Sequence, residues 1–363
     1  MAITNTVYPA AKHPAYNPVE WKFTSDRYDG LNNLQLKCVV KNGAGTVIAS
    51  KYVQSDSSGV FTFDSSGVFT FDANKILQSQ LAFTISTSIV IVAESSTGSY
   101  FIYTLLIEEW YEDGNDDFVI GDNLAISTVG GSPIICYNMA KQSDETFSDY
   151  LCNASGKFLQ SRPSNLKVNT VDPLQFSFIT DEASVAWVVN LVLFVGGNSS
   201  YGDTLVINGG RGIIVIPEGY LNANVNYIEV SLTGKSEILV IYVNPRCMAD
   251  YATIMWKNHF GGFDTYTFPK RKIVNKSSSE EFITNGELNR CGIEAEEIWE
   301  LEGSPETNDT LTWFRDLYNA REAYLVELNI YSKVVILSGE SVLEDTNLII
   351  PAVKIKLQAK LLN

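Results

Sequence analysis

Two histidines, His13 and His259, are all that this 363-residue chain contains, and they fall in separate regions. Its five cysteines, Cys38, Cys136, Cys152, Cys247 and Cys291, are widely spaced and include no C-x-x-C pair, so no His/Cys set has the spacing of a zinc site. They read as reduced core thiols, and neither a metal nor a cofactor is expected. Positive charge is scarce as well: 26 Lys and Arg against 42 Asp and Glu give a net charge of −16, which disfavours DNA phosphates and anionic lipid, so nucleic acid recognition is not expected. Long apolar runs are missing. The most apolar stretch, 186–195, is too short to cross a bilayer and carries the β-branched residues of a buried strand, so no membrane span is expected. The opening MAITNTVYPAAKHPAYNP lacks the basic segment and following apolar segment of a secretory signal, and the product is expected to stay in the cytoplasm of the cell that makes it.

Catalytic constellations are equally thin. There is no G-x-S-x-G, and a serine triad would have to draw its base from His13 or His259, both in loop-like or Gly-flanked settings. Carboxylates suggest a glycosidase pair by number alone. Glu294, Glu296, Glu297 and Glu300 fall on a stretch read as the solvated side of a helix, while Glu108 and Glu109, as strand neighbours, point to opposite faces. Asp113, Asn115 and Asp117 match the first three ligand positions of an EF-hand loop, but Phe118 stands where the turn glycine belongs and Leu124 where the bidentate Glu belongs. Lys270, Arg271, Lys272 and Lys276 make a short basic run that reads as a solvated face. No catalytic residue is expected, and the chain is read as not an enzyme.

What is present is a foldable, β-patterned sequence. Hydrophobic residues reach 45% and charged residues only 19%, a balance that offsets chain entropy by burial. From Asn17 to about Tyr111, short period-2 runs are punctuated by turn residues: 19–24, 34–41, 46–53, 60–71, 82–92 and 100–110 are read as strands. Leu34, Leu36, Cys38 and Val40 alternate with Gln35 and Lys37, which turns one face inward. Asp72 caps a short helical stretch in which Ile76, Leu77 and Leu81 face the sheet. A tandem octapeptide, Ser-Ser-Gly-Val-Phe-Thr-Phe-Asp at 57–64 and again at 65–72, has an even length, so the copy keeps every side chain on its sheet face. It reads as a duplication that lengthened one hairpin, since solenoids need at least three copies.

The acidic stretch 112–117 reads as an exposed connection, giving an N-terminal β-sandwich at 1–111. Further strands at 174–180, 184–195, 204–208, 212–217, 226–232 and 237–244 suggest a second sandwich-like domain at 118–247, with Gly196-Gly197-Asn198 and Asn208-Gly209-Gly210 supplying hairpin turns. The last part, 248–363, reads as a smaller α+β domain with an acidic helix at 292–301, an amphipathic one at 309–321 carrying Leu311, Phe314, Leu317 and Tyr318, and strands at 323–328, 333–337 and 347–358. The expected fold is therefore mainly β: two antiparallel sandwiches, then an α+β ending.

One segment stands out. Trp256-Lys257-Asn258-His259-Phe260-Gly261-Gly262-Phe263-Asp264-Thr265-Tyr266-Thr267-Phe268 reads as strand, tight turn and strand, with a left-handed backbone position expected at Gly262. It has two readings: an ordinary aromatic hairpin inside a core, or an interface hairpin, since aromatic residues dominate buried contacts between subunits. On the second reading the candidate residues are Trp256, Asn258, Phe260, Gly261, Gly262, Asp264, Tyr266 and Phe268.

Together with the later run Leu311-Thr312-Trp313-Phe314-Arg315-Asp316-Leu317-Tyr318-Asn319-Ala320-Arg321-Glu322-Ala323-Tyr324-Leu325-Val326, this segment resembles a pattern in structural proteins of tailed phages and prophages of Bacteroidota hosts, the crAss-like group included. There a W-x-N-x-x-G-G-x-D-x-x-T-F hairpin precedes a W-L/F-x-D-L-x-x-S/A-x-x-x-Y-L helix and strand. The opening 14–19, the strand at 59–61 and Ile76-Leu77-Gln78 are similar to the N-terminal β-domain of the same proteins. The resemblance covers about the first eighty residues and the last hundred. It implies a non-enzymatic virion component that packs as a ring in the tail, tail tip or neck, with copies of itself and other virion proteins as partners, and it carries over no catalytic residue. Two other classes compete: a carbohydrate-binding or receptor-adhesion module that stacks sugars on exposed Trp and Tyr, and a polysaccharide-degrading enzyme.

Overall fold

The computed structural model describes residues 3–25, 32–53, 68–81, 85–88, 90, 92–96, 98–113, 115, 117–151, 156–163, 167–180, 185–195, 197–207, 210–218, 221, 225–232, 237–244, 250–284, 287–303, 308–341 and 353–359, with backbone alone for the strands within 185–207 and 275–296. The chain is mainly β and divides into two compact units, Met1–Thr84 with Ser96–Asp149, and Ile85–Ser95 with Tyr150–Asn363. Among the described residues no helix is long and apolar enough to cross a membrane.

The first part of the chain forms β1 (Ile3–Val7), β2 (Lys12–Pro14), β3 (Glu20–Ser25), β4 (Asn32–Asn42), β5 (Val47–Val53), β6 (Val68–Asp72), α1 (Asn74–Gln80), β7 (Val92–Ser96), β8 (Tyr100–Glu112), β9 (Phe118–Ile126), β10 (Thr128–Val129) and β11 (Ser132–Tyr137). Of these, β7 is a strand of the second unit's sheet. In the first unit β1, β3 and β6 make a three-stranded antiparallel sheet, and β8 is the spine of a larger one, flanked by β4 on one edge and by β9 and β11 on the other. Period-2 alternation builds the core between them. Trp21, Phe23, Phe69 and Phe71 from the small sheet meet Leu36, Cys38, Val40, Tyr103, Leu105 and Ile107 from the large one, all buried, in a sandwich-like packing. The second octapeptide copy supplies β6, where Phe69 pairs with Phe23 and Phe71 with Trp21, while the first copy lies outside the described residues.

The helix expected after Asp72 is α1, and the Asp72 carboxylate accepts the backbone N–H groups of Asn74 and Val19, both at 3.0 Å. Cys38 and Cys136 are free thiols in this core, and burial pushes the Cys38 thiol up to about 12 and that of Cys136 further up. The acidic stretch 112–117 does not end this unit: Glu112 pairs with Phe118, so it closes the β8–β9 hairpin, and β9 to β11 extend the same sheet. The alternation of β9 was hard to read because its side chains are all at least partly exposed.

The second unit holds β12 (Val168–Asn169), β13 (Leu174–Thr180), β14 (Val185–Val195), β15 (Gly197–Ile207), β16 (Gly210–Ile216), β17 (Tyr227–Leu232), β18 (Leu239–Asn244), β19 (Ala252–Lys257), β20 (Phe263–Phe268), β21 (Lys270–Thr284), β22 (Glu287–Gly303), α2 (Asn308–Tyr318), β23 (Ala323–Glu327), β24 (Ile330–Ser341) and β25 (Val353–Ala359). A five-stranded sheet ordered β12-β18-β17-β14-β15 and a three-stranded one ordered β13-β16-β7 share a core of Phe158, Phe176, Phe178, Ile214, Ile228, Val230 and Ile241. A seven-stranded sheet ordered β20-β19-β23-β24-β25-β22-β21 packs with α2. The stretch 292–301 is strand, not helix. Its alternation of Trp299 and Leu301 with Glu300 and Glu302 is the period-2 signal that its acidity obscured, and Trp299 and Leu301 are buried.

His13 tests the first unit's core. It is 5% exposed, its Nε2 lies 3.0 Å from the Tyr103 hydroxyl, and burial lowers its pKa to about 4. The unfolded chain therefore takes up the proton first as pH falls, so stability drops from the ordinary imidazole pKa down to about 4 and levels off below. The loss is about 3 kcal/mol. Urea unfolding of wild type and His13→Gln from pH 7 to pH 4 should show this extra loss in wild type alone; parallel pH curves would contradict it.

Candidate functional site

Asn258 organises the turn of the aromatic hairpin. Its backbone N–H donates to the Gly262 carbonyl at 2.9 Å, its own carbonyl accepts from Gly261 at 3.0 Å, and its side-chain oxygen accepts from the Gly262 N–H at 2.9 Å. Its side-chain amide donates outward from the turn to the Leu159 carbonyl at 3.2 Å. The left-handed residue is Gly261, at φ 88, rather than Gly262. What Gly262 needs is the absence of a side chain, since a Cβ there would sit 1.6 Å from the Leu159 carbonyl oxygen.

The two sequence segments singled out above meet in space. The β19 strand pairs with β20 on one side and β23 on the other, from Thr253 opposite Val326 to Trp256 opposite Ala323. The Trp256 ring centroid is 4.8 Å from that of Trp313, Tyr266 meets Phe314 edge-on at 4.8 Å, and Phe268 lies 5.8 Å from Phe314. Asp264, 2% exposed, is the polar joint of this cluster: its Oδ2 accepts from the Trp313 indole N–H at 2.8 Å, the Ser161 hydroxyl at 2.5 Å and the Ser161 N–H at 3.3 Å.

Beside Asp264 the Arg162 guanidinium donates to the Thr265 carbonyl at 2.8 Å and lies 5.8 Å from the Trp313 ring. Burial lowers its pKa, and the charges of Asp264 and Asp172 oppose that shift. Asp172 is pushed up by burial and held down by hydrogen bonds from the Thr267 hydroxyl and the Asn169 N–H, with the latter at 2.7 Å. Thr253 completes the chain with a hydroxyl 2.8 Å from that of Thr267. These bonds tie Ser161, Arg162 and Asp172 to β20, and through Asp264 to α2, while the buried Arg162 Nη1 has no hydrogen-bond partner among the described residues. Ser161, Arg162 and Asp172 carry no signal in the sequence, because their partners lie about a hundred residues away and follow no local period.

The eight candidate residues are thus gathered in one place, but seven of them face inward. Trp256, Asn258, Phe260, Gly261, Gly262, Asp264 and Phe268 are buried within the unit, and Tyr266 is half-buried against Phe314. The exposed group at this turn is His259, whose Nδ1 lies 2.5 Å from Asp316 and whose ring, tilted by 42°, has its centroid 3.9 Å from that of Phe260.

Other sequence candidates find partners too. Asp113 accepts the N–H groups of Asn115 and Asp117 at 2.8 and 3.2 Å, which builds a hairpin turn, and among the described residues no group of three His, Cys, Asp or Glu is gathered as a metal set. Lys270 and Lys272 reach Glu302 and Glu300 across the β21–β22 ladder at 3.1 and 3.4 Å, while Arg271 lies 5.5 Å from the Trp299 ring. Glu109 is fully buried and accepts from Ser25 at 2.5 Å, whereas Glu108 turns outward to Lys37 at 3.2 Å. One partly exposed ring pair, Tyr52 and Trp110, lies under the Lys37 ammonium, at 5.4 and 5.2 Å from the two rings.

The β21–β22 hairpin is longer than the sheet it joins. The register runs from Lys270 opposite Glu302 to Thr284 opposite Glu287, but β25 pairs with β22 only over Ile298–Gly303. From Asn275 to Glu297, among the described residues, the hairpin is a two-stranded arm, about 30 Å long at the usual rise of a strand. No protein-family model matches the chain, and no curated protein matches it in sequence.

The turn geometry yields a paired prediction. Gly262→Ala, which drives a Cβ into backbone, should cost about 2–3 kcal/mol, and Gly261→Ala, which only strains a left-handed residue, about 1 kcal/mol. Denaturant unfolding of the two variants should rank them in that order; equal losses would refute the close approach to Leu159.

Proposed function

We propose that the chain is a non-enzymatic structural subunit of a tailed-phage virion, made in the host cytoplasm and assembled as a ring in the tail, tail tip or neck. The observation that carries this reading is the β21–β22 arm. A two-stranded ribbon is marginal in water, and among the described residues neither of its strands pairs with a third strand beyond the sheet. Such an arm is stabilised by lying on another molecule. A ring supplies that surface repeatedly, because heterologous contacts between identical subunits close on themselves. The partners are then copies of the chain and adjoining virion proteins.

The finer architecture belongs to the same proposal: a sandwich-like N-terminal part, a second sandwich-like part made by the five- and three-stranded sheets, and an α+β ending made by the seven-stranded sheet with α2. On this reading the aromatic hairpin and the Trp313 helix form the rigid base from which the arm extends. The motif's residues are then kept for rigidity, and the contacts lie elsewhere.

Replacing residues 277–295 with an Asn-Gly turn tests the reading directly, since it closes the hairpin at the Lys276–Glu296 pair. The shortened chain should melt within a few degrees of wild type. Wild type should sediment as a concentration-dependent oligomer and show rings in negative stain, and the shortened chain should remain monomeric. Rings formed without the arm, or a wild-type chain that is monomeric throughout, would overturn the proposal.

A further inference from the structure

The β23–β24 hairpin closes with two residues, Leu328 and Asn329, between the paired Glu327 and Ile330. Both have positive φ, 51 and 62, the left-handed pair of a type I′ turn usually made by Asn-Gly. Asn329 suits this backbone, but Leu328, a branched apolar residue, is strained there and stands 83% exposed. Strain of this kind gathers at ligand clamps, where surrounding contacts over-determine it. Here those contacts come from Glu218. Its carboxylate accepts the Asn329 N–H at 3.0 Å and the Leu328 N–H, and its own N–H donates to the Asn329 side-chain oxygen at 2.8 Å.

The same Glu218 lines a cavity of about 310 Å³, whose wall also includes Leu328, Val326, Tyr251, Arg271 and Glu327. The polar groups of that wall act on one another. Burial raises the pKa of the Tyr251 hydroxyl, the Glu218 and Glu327 carboxylates raise it further, and Arg271 opposes them. Arg271 is held in place, with Nη1 3.5 Å from Glu327 and the guanidinium 5.5 Å from the Trp299 ring. A cavity of this size sits at the small end of those that hold small molecules, ~300–1,000 Å³, so it admits one ring rather than a chain.

Charge decides the class of ligand. Two carboxylates against one guanidinium repel an anion. A cation gains little, because Glu327 already faces Arg271 and Glu218 already accepts two backbone N–H groups. A metal ion lacks a ligand set, since among the described residues no three His, Cys, Asp or Glu side chains gather. What fits is a neutral molecule that both donates and accepts. Adjacent hydroxyls donate to a carboxylate and accept from a guanidinium without parting the ion pair, the Tyr251 hydroxyl does either, and Val326 and Leu328 offer apolar contact to C–H groups.

We propose that this cavity binds a single neutral pyranose sugar, with Leu328 held out to cover the sugar's apolar face. The site is independent of the assembly reading above, because one copy of the chain carries the whole cavity.

Saturation-transfer NMR on the full chain tests it, with the methyl glycosides of glucose, galactose, mannose and N-acetylglucosamine as neutral probes and glucosamine and N-acetylneuraminic acid as charged ones. At least one neutral probe should bind at millimolar concentration, and more tightly than either charged sugar. Glu327→Gln and Leu328→Asn should each weaken that binding about tenfold, the loss expected of one hydrogen bond to a charged group or one covered apolar side chain. Leu328→Asn should also melt no lower than wild type, since asparagine suits the turn. Ile330→Thr, at a position 67% exposed and outside the cavity wall, should leave the affinity unchanged. The proposal is overturned if no neutral probe gives transfer, if a charged sugar binds more tightly, or if Glu327→Gln and Leu328→Asn both bind like wild type.

Discussion

The Asp264 carboxylate accepts from a helix, through the Trp313 indole, and from a remote loop, through Ser161, while it sits on β20 of the aromatic hairpin. A carboxylate buried to 2% exposure is costly unless it is hydrogen-bonded and a cation is near; here Oδ2 accepts three hydrogen bonds and Arg162 supplies the charge. Removing any member leaves the others desolvated and unmatched, so the group acts as one polar joint. The rest of the second unit depends on it. It ties α2 to β20 through Trp313, and it ties Ser161 and Arg162 to the same strand of the seven-stranded sheet.

That joint also brings together two stretches of sequence separated by some forty residues. Trp256, Asp264 and Trp313 touch each other, and the glycines are needed because the Leu159 carbonyl runs against the turn. Their chemistry is that of a core. The outward features are different in kind: a two-stranded arm and a strained leucine at a hairpin tip. Among the described residues the outer part of the arm pairs with no third strand, and Leu328 is 83% exposed, features that isolated monomers usually limit.

Much of the strand pattern was legible from the residues. Alternation placed Leu36, Cys38 and Val40 inward and marked 226–232 as β17, since a one-sided sheet writes its burial into every second residue, while the run at 174–180 is β13, buried at every position. Glu108 and Glu109 point to opposite faces as strand neighbours must. What stayed hidden was non-local or two-sided. The 292–301 strand carries acids beside Trp299 and Leu301 because its polar face pairs with Lys270, Lys272 and Lys356, so acidity looked like a helix surface. The 112–117 turn looked like a linker because its acids satisfy each other's backbone instead of a core. Arg162 and Asp172 have no periodic signature at all. The hairpin's candidate residues were recognisable as a group, but sequence could not say whether aromatic side chains turn toward a core or a neighbour. That depends on α2, which packs against them from another part of the chain.

The central claim is that the hairpin is interior and the arm is the assembling element. Hydrogen–deuterium exchange on dispersed and assembled chain separates the two. Residues 252–268 should be protected equally in both states, and 275–297 should exchange freely when dispersed and gain protection on assembly. Protection gained at 252–268, with the arm exchanging alike in both states, would contradict the account.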